Sequence, residues 1–245
     1  ILLCAALTHA APRPATALHE RFQGGLEAWE PVRVEDARSD RIEVSKGRLV
    51  LSLDTLGTRD ETVKLRGVRS KRAWTIPSEG PPLRVEVELD WNAQRNGCYL
   101  SAGFALVPPT PAPQAGTPPP PERAPHELPA ALAFEFVGVP PGKNARPFLW
   151  WRKAHGLRPL YTEGWPQPKR EQRTGRKVGR VRVALELSAK RLRLLEGGRE
   201  LYVGEGVSLV GPLHLLLFVR GHSNYSERTV LFHEARVSAA AGCGR

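Results

Sequence analysis

Six residues between positions 150 and 165 carry the chemistry most readily turned to binding: Trp150, Trp151, Arg152, His155, Tyr161 and Trp165. Flat aromatic faces stack on the C–H faces of sugar rings. Guanidinium and imidazole groups hydrogen-bond hydroxyls and acidic groups. Trp150 and Trp151 are adjacent in a run, 147–153, that reads as a strand, so they point to opposite sides of it. One of them belongs to a core; the other can line a surface. The cluster is therefore either a glycan-binding patch or a pair of packing tryptophans beside a loop. A second candidate is the stretch 221–225, where His222, Asn224 and Tyr225 offer donors and acceptors at loop height. A plain polar turn accounts for the same residues.

Carboxylates offer a different chemistry. In residues 83–91, Leu83, Val85, Val87, Leu89 and Trp91 alternate with Arg84, Glu86, Glu88 and Asp90. Glu86, Glu88 and Asp90 share one face of a strand, successive members about 6.5–7 Å apart. A carboxyl pair at such a separation is compatible with glycoside hydrolysis, and Glu135 is a further acid of that kind. A solvated strand face with Arg84 as neighbour explains the same pattern. The chain has no G-x-S-x-G, P-loop or H-E-x-x-H signature. Neither Cys98 nor Cys243 has a second ligand at zinc-type spacing.

Charge is strongly one-sided. Lys and Arg number 36 against 25 Asp and Glu, a net +11. Residues 169–182 concentrate it in Lys169, Arg170, Arg173, Arg176, Lys177, Arg180 and Arg182. Such a balance suits a polyanion, whether nucleic acid, acidic polysaccharide or a membrane surface. A compositional bias towards Arg, Ala, Pro and Gly, or a solvated loop, gives the same numbers.

The elements that must position these residues are strands. Residues 181–187 alternate, placing Val181, Val183, Leu185 and Leu187 on one face. Residues 191–195 follow, then a Gly197-Gly198 turn suited to positive φ, and a return strand at 200–203. The run 213–219 is apolar on both faces and so central, and 229–237 closes the series. Earlier strands are read at 28–34, 41–45, 48–53, 63–68, 73–76, 83–91 and 99–107, later ones at 132–137 and 147–153. Residues 154–168 read as a loop. Short strands with glycine punctuation imply antiparallel sheets in a sandwich or barrel.

The ordered set of hairpin, "GPLHLLLFVRG" and "VLFHEARV", with the opening "FQGGLEAW", resembles concanavalin A-like (laminin G-like) jelly-roll domains of bacterial exported proteins. The resemblance covers roughly residues 20–237 and implies an all-β jelly-roll sandwich of a shape used to hold sugars. Laminarinase-type hydrolases of that fold carry E-x-D-x-x-E on one strand. Here Glu86-x-Glu88-x-Asp90 lacks the final acid, and the Gln/Tyr/His signatures of jelly-roll lyases are missing too. Calcium is natural to such folds, but His233 and Glu234 occupy the usual acidic position and no Asp-rich loop stands out, so no cofactor is expected.

Residues 1–17 read as the tail of a secretory signal peptide and a Pro/Ala spacer, with cleavage after Ala10 expected over lipidation at Cys4. The jelly roll is expected over 18–240. The Pro-rich stretch 108–125 is expected as an exposed insertion between two strands. Export permits a disulfide between Cys98 and Cys243; two unpaired thiols are the alternative. The expectation is a non-catalytic carbohydrate-binding module, secreted, periplasmic or at the cell surface. Its partner would be a glycan, neutral or anionic, and not nucleic acid; no transmembrane segment would remain after leader removal. A glycoside hydrolase or lyase using Glu86, Glu88 or Glu135 is the first alternative. A structural envelope protein without a small ligand is the second.

Overall fold

The structure, a computed structural model, describes residues 15–34, 40–55, 63–91, 100–109, 132–139, 144–153, 156–162, 176–206, 209, 211–221 and 227–239. Sixteen strands and no helix lie among them. They form two antiparallel sheets of eight strands each.

Sheet one runs β14 (Arg199–Glu205), β13 (Arg191–Glu196), β12 (Arg180–Leu187), β6 (Leu83–Asp90), β16 (Glu227–Ala239), β4 (Leu49–Asp54), β3 (Asp40–Val44). The long β16 pairs with β4 through its first half and with β1 (Ala15–Glu20) through its second. Sheet two runs β10 (Gly156–Thr162), β9 (Asn144–Lys153), β8 (Leu132–Val139), β7 (Leu100–Val107), β15 (Leu213–Gly221), β5 (Lys64–Trp74), β2 (Trp29–Val34). A two-residue strand, β11 (Arg176–Lys177), joins β9 at Asn144 and Ala145.

Alternation explains which face each strand buries. In β6, Leu83, Val85, Val87 and Leu89 are fully buried while Arg84, Glu86, Glu88 and Asp90 are half-exposed. The buried set packs with Phe104, Phe134, Phe136, Leu215 and Leu217 of sheet two in one core between the sheets. Phe134 meets Phe136 edge-on with centroids 5.1 Å apart. Burying each such side chain contributes about 1.5–3 kcal/mol, so the sandwich is held chiefly by its interior. The central strand β15 is buried on nearly its whole length, as its two-sided apolar sequence implies.

Two hairpins close on consecutive residues at positive φ. Lys46 and Gly47 have φ of 52° and 66°, and Gly197 and Gly198 of 57° and 85°. Two such residues in sequence match the right-handed twist of the flanking strands.

Three expectations change. The runs 63–68 and 73–76 are joined in one strand, β5 (Lys64–Trp74), because backbone pairing to β2 carries it through the polar Arg69 and Ser70 and pairing to β15 takes it up at Ala73. The expected loop 154–168 contains β10, an edge strand whose register shift lies between Pro159 and Tyr161. An edge position tolerates proline because the outer amide has no ladder partner to lose. The first strand is β1 rather than 28–34, and it begins at Ala15, inside the stretch read as spacer. The leader itself, most of the Pro-rich insertion, Cys98 and Cys243 lie outside the described residues.

Candidate functional site

The outer face of sheet two gathers aromatic, apolar and charged groups. Along β9, Ala145, Pro147 and Leu149 are buried and Asn144, Arg146, Phe148 and Trp150 are half-exposed on the other side. Phe148 and Trp150, two residues apart on one face, stack with centroids 4.9 Å apart and planes 11° from parallel. Trp150 also packs on a second apolar layer of Leu65, Ala105, Val107, Ala133, Leu216 and Phe218. Its indole Nε1 is buried and finds no hydrogen-bond partner, as does Oγ1 of Thr162, which stands opposite Phe148 on β10.

Register places a row of residues across the centre of this face: Gly67, Phe218, Gly103, Glu135 and Phe148. Glu135 is fully buried. Arg220 of β15 reaches it across β7 as a two-pronged donor, Nε to Oε2 at 2.9 Å and Nη2 to Oε1 at 2.7 Å. Such a fork is among the stronger charge-assisted arrangements. It needs close strand approach at Gly103, where an added Cβ would lie 2.0 Å from the Phe134 carbonyl oxygen.

The expected aromatic cluster is divided by the sheet. Trp150 lies on the outer face, while Trp151 and Tyr161 pack against the main core. Tyr161 has Tyr202 of sheet one as a neighbour, centroids 6.1 Å apart. Arg152 falls in β9 two positions beyond Trp150. His155, Trp165, His222, Asn224 and Tyr225 lie outside the described residues. Phe148 and Arg220 did not enter the sequence-based candidate set. The alternation Arg146-x-Phe148-x-Trp150 was the available signal for the first; the second needed the β8–β7–β15 pairing.

Glu86 and Glu88 belong to a different surface, the outer face of sheet one. Arg84 binds Glu86 at 2.5 Å and also binds Glu186. Arg182 binds Glu88 at 2.8 Å, and Arg180 binds Glu88 as well. Arg193 bridges Glu186 and Glu200 at 2.6 and 2.8 Å. Arg84, Glu86, Glu88, Arg180, Val181 and Arg182, with the Gly197-Gly198 turn, line an open hollow of about 600 Å³. Burial works to raise the Glu88 carboxyl, but hydrogen bonds from Arg182 and Arg180 outweigh it and hold it below the usual carboxylate range. The expected carboxyl pair is thus a salt-bridged ladder in which each acid already has arginine partners.

The ladder continues to Glu234, whose Oε1 lies 2.5 Å from His19 Nε2 and accepts from Arg236 and Arg21. Burial again pushes the carboxyl up, and the hydrogen bonds from His19, Arg236 and Arg21 overcome that and bring it down to about 2. Among the described residues no group of three or more His, Cys, Asp or Glu is arranged to hold a metal. No helix there is long and apolar enough to cross a membrane.

Neither a protein-family model nor a curated protein matches this chain. Solved structures do match in shape. LamA from Zobellia galactanivorans, in complex with laminaritriose and laminaritetraose, superposes with a TM-score of 0.57 at 14% identity, covering 91% of this chain and 98% of that one. The catalytic domain of an endo-1,3-β-glucanase (laminarinase) from Thermotoga petrophila RKU-1 gives 0.56 at 10% identity, with 94% and 99% covered. The carbohydrate recognition domain of Emp46p, potassium-bound, gives 0.51 at 9%, with 87% and 89% covered. The chain therefore has the concanavalin A-like jelly-roll fold.

Proposed function

We propose that this protein acts outside the cytoplasm on a polysaccharide, holding the chain across the outer face of sheet two. The Phe148–Trp150 stack is the observation that carries the reading. It presents a half-exposed aromatic platform beside the Arg220–Glu135 fork, next to a layer of apolar side chains. Sugar rings have apolar faces that suit such a platform.

Glycoside hydrolysis is the second reading, and the shape comparison favours it over a bare lectin. Most of the similar solved structures are named as glucanases or other glycan-cleaving enzymes. The chemistry needs two carboxyl groups, about 5–5.5 Å apart for retention or 6.5–9.5 Å for inversion. At the centre of the sheet-two face the described residues offer Glu135, held in its fork with Arg220. Glu86 and Glu88 belong to the ladder on the other sheet.

The test pairs binding with turnover on a panel of polysaccharides, comparing Trp150→Ala with Trp151→Ala. Glycan handling on sheet two predicts that Trp150→Ala loses roughly tenfold or more in affinity with a near-normal melting curve. Trp151→Ala should mainly lower stability, since that ring packs on the core. Unchanged binding in Trp150→Ala would remove the proposed site. Product release abolished by Glu135→Gln would establish the hydrolytic reading.

A further inference from the structure

We infer that two copies of this chain associate edge to edge, β14 of one pairing antiparallel with β14 of the other about a two-fold axis at Tyr202. The association is independent of the glycan face, which belongs to the other sheet.

The ends of the two sheets are not alike. Sheet two ends in β10 and β2, and each contains a proline, Pro159 and Pro31. Proline has no amide to offer a further ladder, which is a common way of blunting an edge. Sheet one ends in β3 and β14. β3 has five residues, and its exposed Arg41 and Glu43 lie 3.9 Å apart as an ion pair of their own. β14 has seven residues and no proline, and among the described residues its ladder partner is β13 alone. A strand of that length with one row of amides and carbonyls open is a template for another strand.

The side chains of β14 fit a copy of themselves. With Tyr202 opposite the partner's Tyr202, Arg199 stands opposite the partner's Glu205 at both ends of the pair. Arg199 and Glu205 are exposed, and neither has an ion pair or a side-chain hydrogen bond among the described residues. The neighbouring Arg193, Glu186 and Glu200 satisfy one another instead. Val203 is 41% exposed, the most of any large apolar side chain among the described residues, and it would meet the partner's Leu201. The pairing of β14 to β13 skips Leu201, and such a bulge adds local twist. A second copy carries the same bulge and so the same twist, which a flat foreign strand does not. The seven residues span about 20 Å. A two-fold contact of this kind uses the same edge on both copies, so assembly stops at two.

The experiment is sedimentation velocity of the full chain over a wide concentration range. The unaltered chain is compared with Arg199→Glu, with Glu205→Arg, with the double reversal and with Val203→Lys, and melting curves establish that each is folded. The unaltered chain should dimerise. Each single reversal sets like charges opposite each other at both ends and should weaken the dimer roughly tenfold or more. Val203→Lys should weaken it as well. The double reversal should restore the dimer, and an equal mixture of the two single variants should form a heterodimer, because opposite charges again face each other. A chain that stays monomeric throughout would overturn the inference. A dimer indifferent to the single reversals would place the contact elsewhere and overturn it too. Failure of both the double reversal and the mixture to restore association would contradict the antiparallel register about Tyr202.

Discussion

The two outer faces of this sandwich solve the problem of charge in opposite ways. On sheet one, acids and arginines alternate across β6, β12, β13 and β16 so that Glu86, Glu88, Glu186 and Glu234 each meet at least one guanidinium. On sheet two, charge at the centre is a single buried fork, flanked by an apolar layer and the Phe148–Trp150 stack. Cross-strand pairing satisfies the first face with the chain's own side chains. The second keeps half-exposed stacked aromatics over an apolar layer, which is what a surface for another molecule looks like. A hollow alone is a poor guide: the 600 Å³ one sits over the satisfied ladder.

If the faces differ in this way, single substitutions should separate them. The largest loss belongs to the fork. Arg220→Ala leaves Glu135 buried without its main partner and should cost about 3–5 kcal/mol in denaturant unfolding. Next comes Glu234→Gln, which removes the acid joining β1 to β16 and should cost about 1–2 kcal/mol after solvent screening. Its pH dependence has a definite sign. The folded-state carboxyl is depressed to about 2, so its stabilisation is present above the ordinary carboxylate range and is lost as pH falls from about 4.5 through about 2. Acid unfolding followed by circular dichroism should show that loss in the unaltered chain and a smaller one in the variant. The smallest effect is that of Glu88→Gln, below about 1 kcal/mol because its partners are exposed arginines. It should leave polysaccharide binding unchanged. A binding loss there equal to that of Trp150→Ala would erase the contrast between the faces.

Much of the fold was legible because strand patterning is local. Leu83 to Leu89 and Val181 to Leu187 announce both the strand and the buried side, and the Gly197-Gly198 turn announces the hairpin. What failed was also physical. Pro159 hid β10, since nothing local says that a strand lies at an edge where proline is harmless. Arg69 to Arg72 broke the pattern of β5, where backbone pairing to β2 up to Ser70 and to β15 from Ala73, the latter remote in sequence, keeps the strand going. The site was half legible. Adjacency of Trp150 and Trp151 required that they part company, but which one faces out depends on the strand partners: Trp151 sits opposite the buried Leu132 and Trp150 opposite Ala133 of the outer layer. The Glu135–Arg220 fork joins residues 85 apart across an intervening strand, and no local spacing reveals it.

Hydrogen exchange of the full chain with and without a polysaccharide of the panel that it binds tests the division of labour between the faces most directly. The account predicts slowed exchange confined to β8, β9 and β10, around Phe148 and Trp150, with β6, β12 and β13 unchanged. Protection centred on the Glu86–Glu88 ladder, or absent from both sheets, would contradict it.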